Sequence, residues 1–180
     1  LEFILPGILI MTVLFNSMKY SQSIFNEQAF GMGDEIFSTP INRKYFIVSK
    51  IICIALIGAM QSVILFVFGM LYFGLYYSIT ILIYILSISI VASLCFAALF
   101  VTICGMVKTI SAFVSIINIM ITLMLFSSNI FYPTENITKL FRFLVIINPV
   151  TYAVETIRAF LFLSPIKSVL PLLTLLFFFF

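Results

Sequence analysis

The chain has 180 residues, of which 64% are apolar, 17% aromatic and only 8% charged. An ordinary soluble domain carries roughly 25% charged residues, so the polar surface of a water-soluble globule cannot be built from this composition. Nine Lys/Arg against six Asp/Glu is too small and scattered an excess for a nucleic-acid footprint. A soluble enzyme, a nucleic-acid-binding domain and a disordered tail are excluded, and the mean hydropathy of +1.32 points to an integral membrane protein.

The apolar runs, taken in chain order, predict an all-α, polytopic transmembrane bundle. Residues 3–25 form the first expected span, apolar at its start and polar after Phe15, with Pro6-Gly7 placed where a helix tolerates them best. The stretch 26–46 is the most polar of the chain and carries Glu27, Asp34, Glu35, Arg43 and Lys44, punctuated by Gly31, Gly33 and Pro40. It is too polar to span. Further spans are expected over 47–72, 79–106 and 110–131, each long enough for the ~30 Å hydrocarbon layer at about 1.5 Å per residue. The uncharged aromatic turn Phe73-Gly74-Leu75-Tyr76-Tyr77 separates the first two of these.

From residue 133 to 164 the apolar pieces shorten to eight or so residues, separated by Pro133, Glu135, Lys139, Arg142, Pro149, Glu155 and Arg158. These pieces are too short to cross, and two half-length amphipathic helices fit them, about Ile137–Ile147 and Val150–Leu163, with Asn148-Pro149 starting the second. A last span is expected over 169–180. The chain opens and closes inside apolar runs, which reads as a fragment cut at both ends.

Orientation follows from Lys/Arg placement. Lys19, Arg43, Lys44 and Lys50 flank the 26–46 loop and Lys108 follows the third span, whereas the turn at 73–77 has none. The positive-inside rule puts the 26–46 loop in the cytoplasm. The 133–164 segment then falls outside despite Lys139, Arg142 and Arg158. Re-entrant half-helices with local pairing, Glu135 to Lys139 and Glu155 to Arg158, account for that.

The sites available for chemistry are few. With no histidine, imidazole metal sites and Ser-His triads are impossible, and no metal site is expected. Cys53, Cys95 and Cys104 lie in apolar runs and read as small buried hydrophobes. The central spans contain no ionisable acid or base of the kind that ion-coupled pumps use. Gln61 and Asn118 are the polar groups at depth, read as interhelical hydrogen-bonders. Ser89, Ser93 and Ala97 form a small-residue stripe on the third span, and Gly58, Ser62 and Gly69 a looser one on the second. These are close-packing surfaces, within the chain or across a dimer. Asn136-Ile137-Thr138 fits a glycosylation acceptor, a tripeptide common by chance. The 26–46 loop is the sharper signal: a short helix over Gly31–Thr39, broken by Pro40, suits docking to a soluble partner or is an ordinary connection.

The run Glu27-Gln-Ala-Phe-Gly31-Met-Gly-Asp34-Glu35-Ile-Phe-Ser-Thr39-Pro40-Ile-Asn-Arg43, followed by Lys50, resembles the cytoplasmic loop of type-2 ABC transporter permeases. A second stretch, Tyr132-Pro-Thr-Glu135 and then Asn148-Pro149-Val-Thr151-Tyr152-Ala-Val-Glu155-Thr-Ile-Arg158, is similar to that family's segment before its final span. Two departures are Met32-Gly33, in place of a Thr-aliphatic pair, and Thr138, where Pro is frequent. The resemblance covers the whole chain as family spans two to six.

It implies a membrane subunit that pairs with a second permease copy and with cytoplasmic ABC ATPase subunits, in the cell membrane. Glu27, Gly31, Asp34, Glu35, Thr39, Pro40 and Arg43 would form the ATPase-coupling helix. Asn148, Pro149, Thr151, Tyr152, Glu155 and Arg158 would form the outer lid. ATP and Mg would sit on the partner, leaving this chain without cofactor or catalytic residue. The family exports drugs, lipids and polysaccharides, and the aromatic, uncharged spans lean toward a hydrophobic or amphipathic cargo. A passive channel or secondary carrier is the alternative; an intramembrane enzyme lacks the residues it would need.

Overall fold

The computed structural model describes residues 4–30, 42–74, 78–130 and 139–163. Within them the regular elements are all helical: α1 (Leu5–Ala29), α2 (Arg43–Phe73), α3 (Ile79–Met106), α4 (Ile110–Phe126), α5 (Lys139–Ile147) and α6 (Pro149–Arg158), the last running into a π-helical turn at Ala159–Leu163. This is an all-α membrane protein. α2 and α3 have the length and apolarity needed to cross a bilayer. α1 is long enough, at 25 residues, but polar in its second half, and α4 is apolar but only 17 residues long. The segment 164–180, where a last span is expected, lies outside the described residues.

The helix ends follow from local chemistry. Asn42 caps α2, its side-chain oxygen accepting the Lys44 N–H at 3.1 Å. α2 stops at Gly74, whose φ of +64° a Cβ would disfavour and whose N–H returns to the Met70 carbonyl. Ser78 then caps α3 through the Thr80 N–H. Between α3 and α4 lies a three-residue link, Val107 to Thr109, that is extended at both ends.

α3 is the centre of the bundle. It packs on α1, α2, α4 and α6 and buries Ile85, Ile88, Ala92, Phe96, Ala97 and Phe100. α1 crosses against α2 and α3 with Leu9, Ile10, Val13 and Leu14 fully buried. α4 adds Phe113, Ile117, Ile121 and Leu125, four residues apart on one face, with Phe113 stacked on Phe25 of α1 at 5.0 Å between ring centroids. Full burial of such side chains stabilises by about 1.5–3 kcal/mol each where water is the alternative. Inside lipid, dispersion and hydrogen bonds carry more of the association.

The small-residue stripes face each other inside the chain. Ser62 of α2 and Ser89 of α3 share a hydrogen bond of 2.6 Å, both fully buried. One turn away, Gly58 leaves the Ile54 carbonyl open to two further donors, Asn16 Nδ2 of α1 and Ser93 Oγ of α3, each at 3.3 Å. Three helices thus converge on one backbone oxygen. Gly69 lies against Leu5 of α1. Gln61 and Asn118, expected to bond between helices, are instead exposed. The interhelical bonds fall to Asn16, Ser62, Ser89 and Ser93, because the helical register turns Ser62, not its neighbour Gln61, toward α3.

Candidate functional site

Two polar regions stand at opposite ends of the bundle. At the first, α1 continues to Ala29, so Glu27 lies in its last helical turns, and Lys50 lies two turns into α2. Lys50 Nζ donates to Glu27 Oε2 at 2.7 Å, with both side chains about one-third exposed (32% and 29%). The ammonium also sits 5.5 Å from the centre of the Phe46 ring. This pair ties together the two helices that carry the 26–46 connection. A cleft of about 360 Å³ opens beside it, lined by Tyr20, Ser23, Ser49, Cys53, Ile54 and Ile57 along with the pair itself. Arg43 opens α2, while its side chain, and all of Gly31, Asp34, Glu35, Thr39 and Pro40, lie outside the described residues.

The pair's sign is testable. Lys50→Glu, which sets two carboxylates against each other, is expected to cost about 1 kcal/mol, the upper range for part-exposed pairs. The exchange Glu27→Lys/Lys50→Glu restores most of it. Thermal unfolding in detergent of wild type, Glu27→Lys, Lys50→Glu and the exchange reads the coupling directly; additive effects would mean that the pair holds nothing.

At the other end, the residues Asn148 to Arg158 are gathered at one helix, which packs on α1 and α3 and is tied by hydrogen bonds to the end of α4. Asn148 is the hub. Its Oδ1 accepts the Val150 N–H at 3.0 Å and so caps α6, and its Nδ2 donates to the Met124 carbonyl at 2.6 Å and to Ser127 Oγ at 3.0 Å. Pro149 follows at the first helical position. α6 is held down by Val150, Ala153, Val154 and Ile157, all fully buried. Tyr152 donates its hydroxyl to the Ile146 carbonyl at 2.6 Å, locking α5 against α6. Thr151 is buried, at 3% exposure.

Glu155 accepts from Asn129 Nδ2 at 2.9 Å, and Arg158 Nη2 donates to the Ile130 carbonyl at 3.3 Å. Burial pushes the Glu155 carboxyl up, and the Arg158 charge opposes that shift. Both charges therefore fold back onto the turn that ends α4, which explains how a charged half-helix packs on an apolar bundle.

Asn129 and Ser127 were absent from the sequence-derived site. They fall at the end of an apolar run, and the signal was the polar triplet Ser127-Ser128-Asn129. Ser127 and Ser128 turn their hydroxyls onto the carbonyls of Leu123 and Leu125, which ends the helix at Phe126 rather than at Phe131. Among the described residues no cluster of His, Cys, Asp and Glu has metal-ligand geometry.

Polar groups gathered at the two ends of an apolar helical bundle suit a membrane protein. Residues 2–162 match the family described as ABC-2 type transporter. The chain belongs to that family. A curated relative described as a transport permease, ycf38 of Cyanophora paradoxa, is 25% identical over 163 residues, which is 88% of this chain and 55% of the relative. The permease domain seen here thus spans about half the length of that relative. No solved structure matches the chain. Within the ABC-2 domain, the described part of the loop-side region is the Glu27–Lys50 bridge with the start of α2, and the far-side region is α6, packed on α1 and α3 and bonded to the end of α4.

Proposed function

We propose that this permease domain is the membrane part of an ATP-driven exporter, working as a dimer with cytoplasmic ABC ATPase subunits in the cell membrane. ATP and Mg are handled on the partner, and the cargo is hydrophobic or amphipathic: a drug, a lipid or a polysaccharide. The observation that carries the reading is the loop between α1 and α2. Its sequence from Glu27 to Arg43 resembles the family's ATPase-coupling loop, and the helices on either side of it are joined by the Glu27–Lys50 bridge. A rigid base is what a docking loop needs if motion of a partner is to move the spans and not merely the loop.

Under this proposal the 26–46 loop faces the cytoplasm, as its Lys/Arg content favours. Asn148, Pro149, Thr151, Tyr152, Glu155 and Arg158 then close the outer end of the path, and the bonds from Asn148 and Tyr152 make that end one body with α4 and α5. Reversing the loop charge with Asp34→Lys/Glu35→Lys in the full-length chain should detach or uncouple the ATPase while membrane insertion persists. The measurement is ATP hydrolysis by the reconstituted complex, expected to fall about tenfold or more on loss of a docking contact worth about 1.4 kcal/mol or more. Unchanged hydrolysis removes the coupling assignment and favours a passive channel or secondary carrier.

A further inference from the structure

The outward face of α1 divides sharply along its length. Ile4, Ile8 and Phe15 are exposed at 42%, 44% and 45%, and the same face continues through Lys19, Gln22 and Asn26. Lys19 is exposed on that face and set back from the polar end of α1. It is eight residues before Glu27, about 12 Å along the axis, and α1 lies antiparallel to α2 with Asn16 bonded to the Ile54 carbonyl. Lys19 is therefore level with Lys50 and Ile51, where the apolar run of α2 begins. Helical side chains lean toward the helix N-terminus, here toward the apolar end, which works against the ammonium reaching back to the polar surface.

Hydrocarbon is a poor solvent for such a face. Among the described residues no hydrogen bond or ion pair occupies the side chains of Lys19, Gln22, Ser23 or Asn26, and the acid at this end of α1, Glu27, is engaged by Lys50. These residues, with Tyr20, line a recess of about 290 Å³. One uncompensated cation surrounded by amide and hydroxyl donors is the chemistry of a phosphate site, and the apolar half of the same face offers a track for a tail. A second copy of this chain fits poorly here, because a two-fold contact on this face would bring Lys19 against Lys19.

We propose that the α1 face centred on Lys19 binds the phosphate head of an amphiphile from the leaflet on the side of the 26–46 loop, its tail lying along Phe15, Ile8 and Ile4. The assignment rests on the permease reading for its role: it makes the cargo, or a lipid that gates it, a phosphate-bearing one. Lys19 and the amides of Gln22 and Asn26 hold the head, and the face is continuous along α1.

The test is native mass spectrometry of the purified full-length permease, titrated with dioleoyl phosphatidate, dioleoyl phosphatidylcholine and inorganic phosphate. Phosphatidate should bind about tenfold more tightly than phosphatidylcholine, the size of one charge-assisted hydrogen-bonding site. Lys19→Gln should abolish that preference. Lys19→Arg should keep it, and so should Lys108→Gln, which removes an exposed lysine elsewhere. A preference that survives Lys19→Gln, or that Lys108→Gln removes equally, overturns the site. Inorganic phosphate bound as tightly as phosphatidate, with the same Lys19 dependence, overturns the amphiphile as its ligand. A changed monomer–dimer ratio for Lys19→Gln without lipid assigns the face to a second copy and overturns it too. Binding is read with no ATPase present, so its failure leaves the permease reading standing, and a missing ATPase leaves the site standing.

Discussion

Asn148→Ala should be among the most damaging single substitutions in the chain outside the apolar core. Asn148 is 5% exposed and makes three bonds with one amide: the cap on Val150, and the donations to the Met124 carbonyl and to Ser127. Losing the cap costs about 1 kcal/mol. Leaving the Met124 carbonyl, in the last turn of α4, without its side-chain donor adds about 1–3 kcal/mol where water does not replace it. The expected total is about 2–4 kcal/mol, read as a lower thermal unfolding midpoint in detergent and as faster proteolysis after α4. Asn148→Ser keeps the capping oxygen and should recover about 1 kcal/mol. Asn148→Asp keeps the cap but sets a carboxylate against a carbonyl, and should do no better than alanine. If all three variants behave like wild type, α6 is not held by Asn148.

Gly58 is the second sensitive point. A Cβ there would stand 2.6 Å from Ser93 Oγ and 3.0 Å from Asn16 Nδ2, the two donors that share the Ile54 carbonyl. Gly58→Ala therefore forces apart α1, α2 and α3 where they converge on the Ile54 carbonyl, or breaks both bonds. Overpacking of this kind costs about 1–3 kcal/mol, and the stranded donors add to it. Gly58→Ala/Ser93→Ala removes the nearer of the two clashes and should regain part of the loss. The same pair of variants separates packing from helix propensity, because alanine is the better helix former by about 1 kcal/mol. A stabilised Gly58→Ala would mean that the three helices do not meet there.

How much of this was legible in the sequence depends on the kind of signal. The two long apolar helices, α2 and α3, follow from apolar length alone, since a bilayer-sized run leaves few choices. One helix start was legible too: Asn148-Pro149 sits where a short polar side chain competes for backbone groups, whereas the Ser78 cap emerged only from the fold. The stripes on α2 and α3 were visible as spacings, but their partners were not. A stripe of small residues permits close approach by any helix, and only the fold shows that Ser62 meets Ser89 while Gly58 admits Asn16 and Ser93.

Gln61 illustrates the opposite failure. A lone polar residue at depth looks like an interhelical bond, yet a single step of 100° in register separates it from Ser62, and the core went to the smaller side chain. The α4 boundary was misplaced because Ser127, Ser128 and Asn129 are compatible with an apolar run by composition. What stops the helix is the bonding of their side chains to the last turn and to α6, which is a tertiary fact. The Glu27–Lys50 bridge lay between these extremes: both residues were singled out, and only the extension of α1 to Ala29 brings them within 2.7 Å.

The most direct test of the central claim is affinity purification of the full-length permease from its native membrane in mild detergent, with quantitative mass spectrometry of what accompanies it. An ABC ATPase recovered in near-stoichiometric amount, and lost on Asp34→Lys/Glu35→Lys, is the predicted result. A permease that comes down intact and without an ATPase, even after cross-linking, would contradict the account and leave a passive channel or secondary carrier in its place.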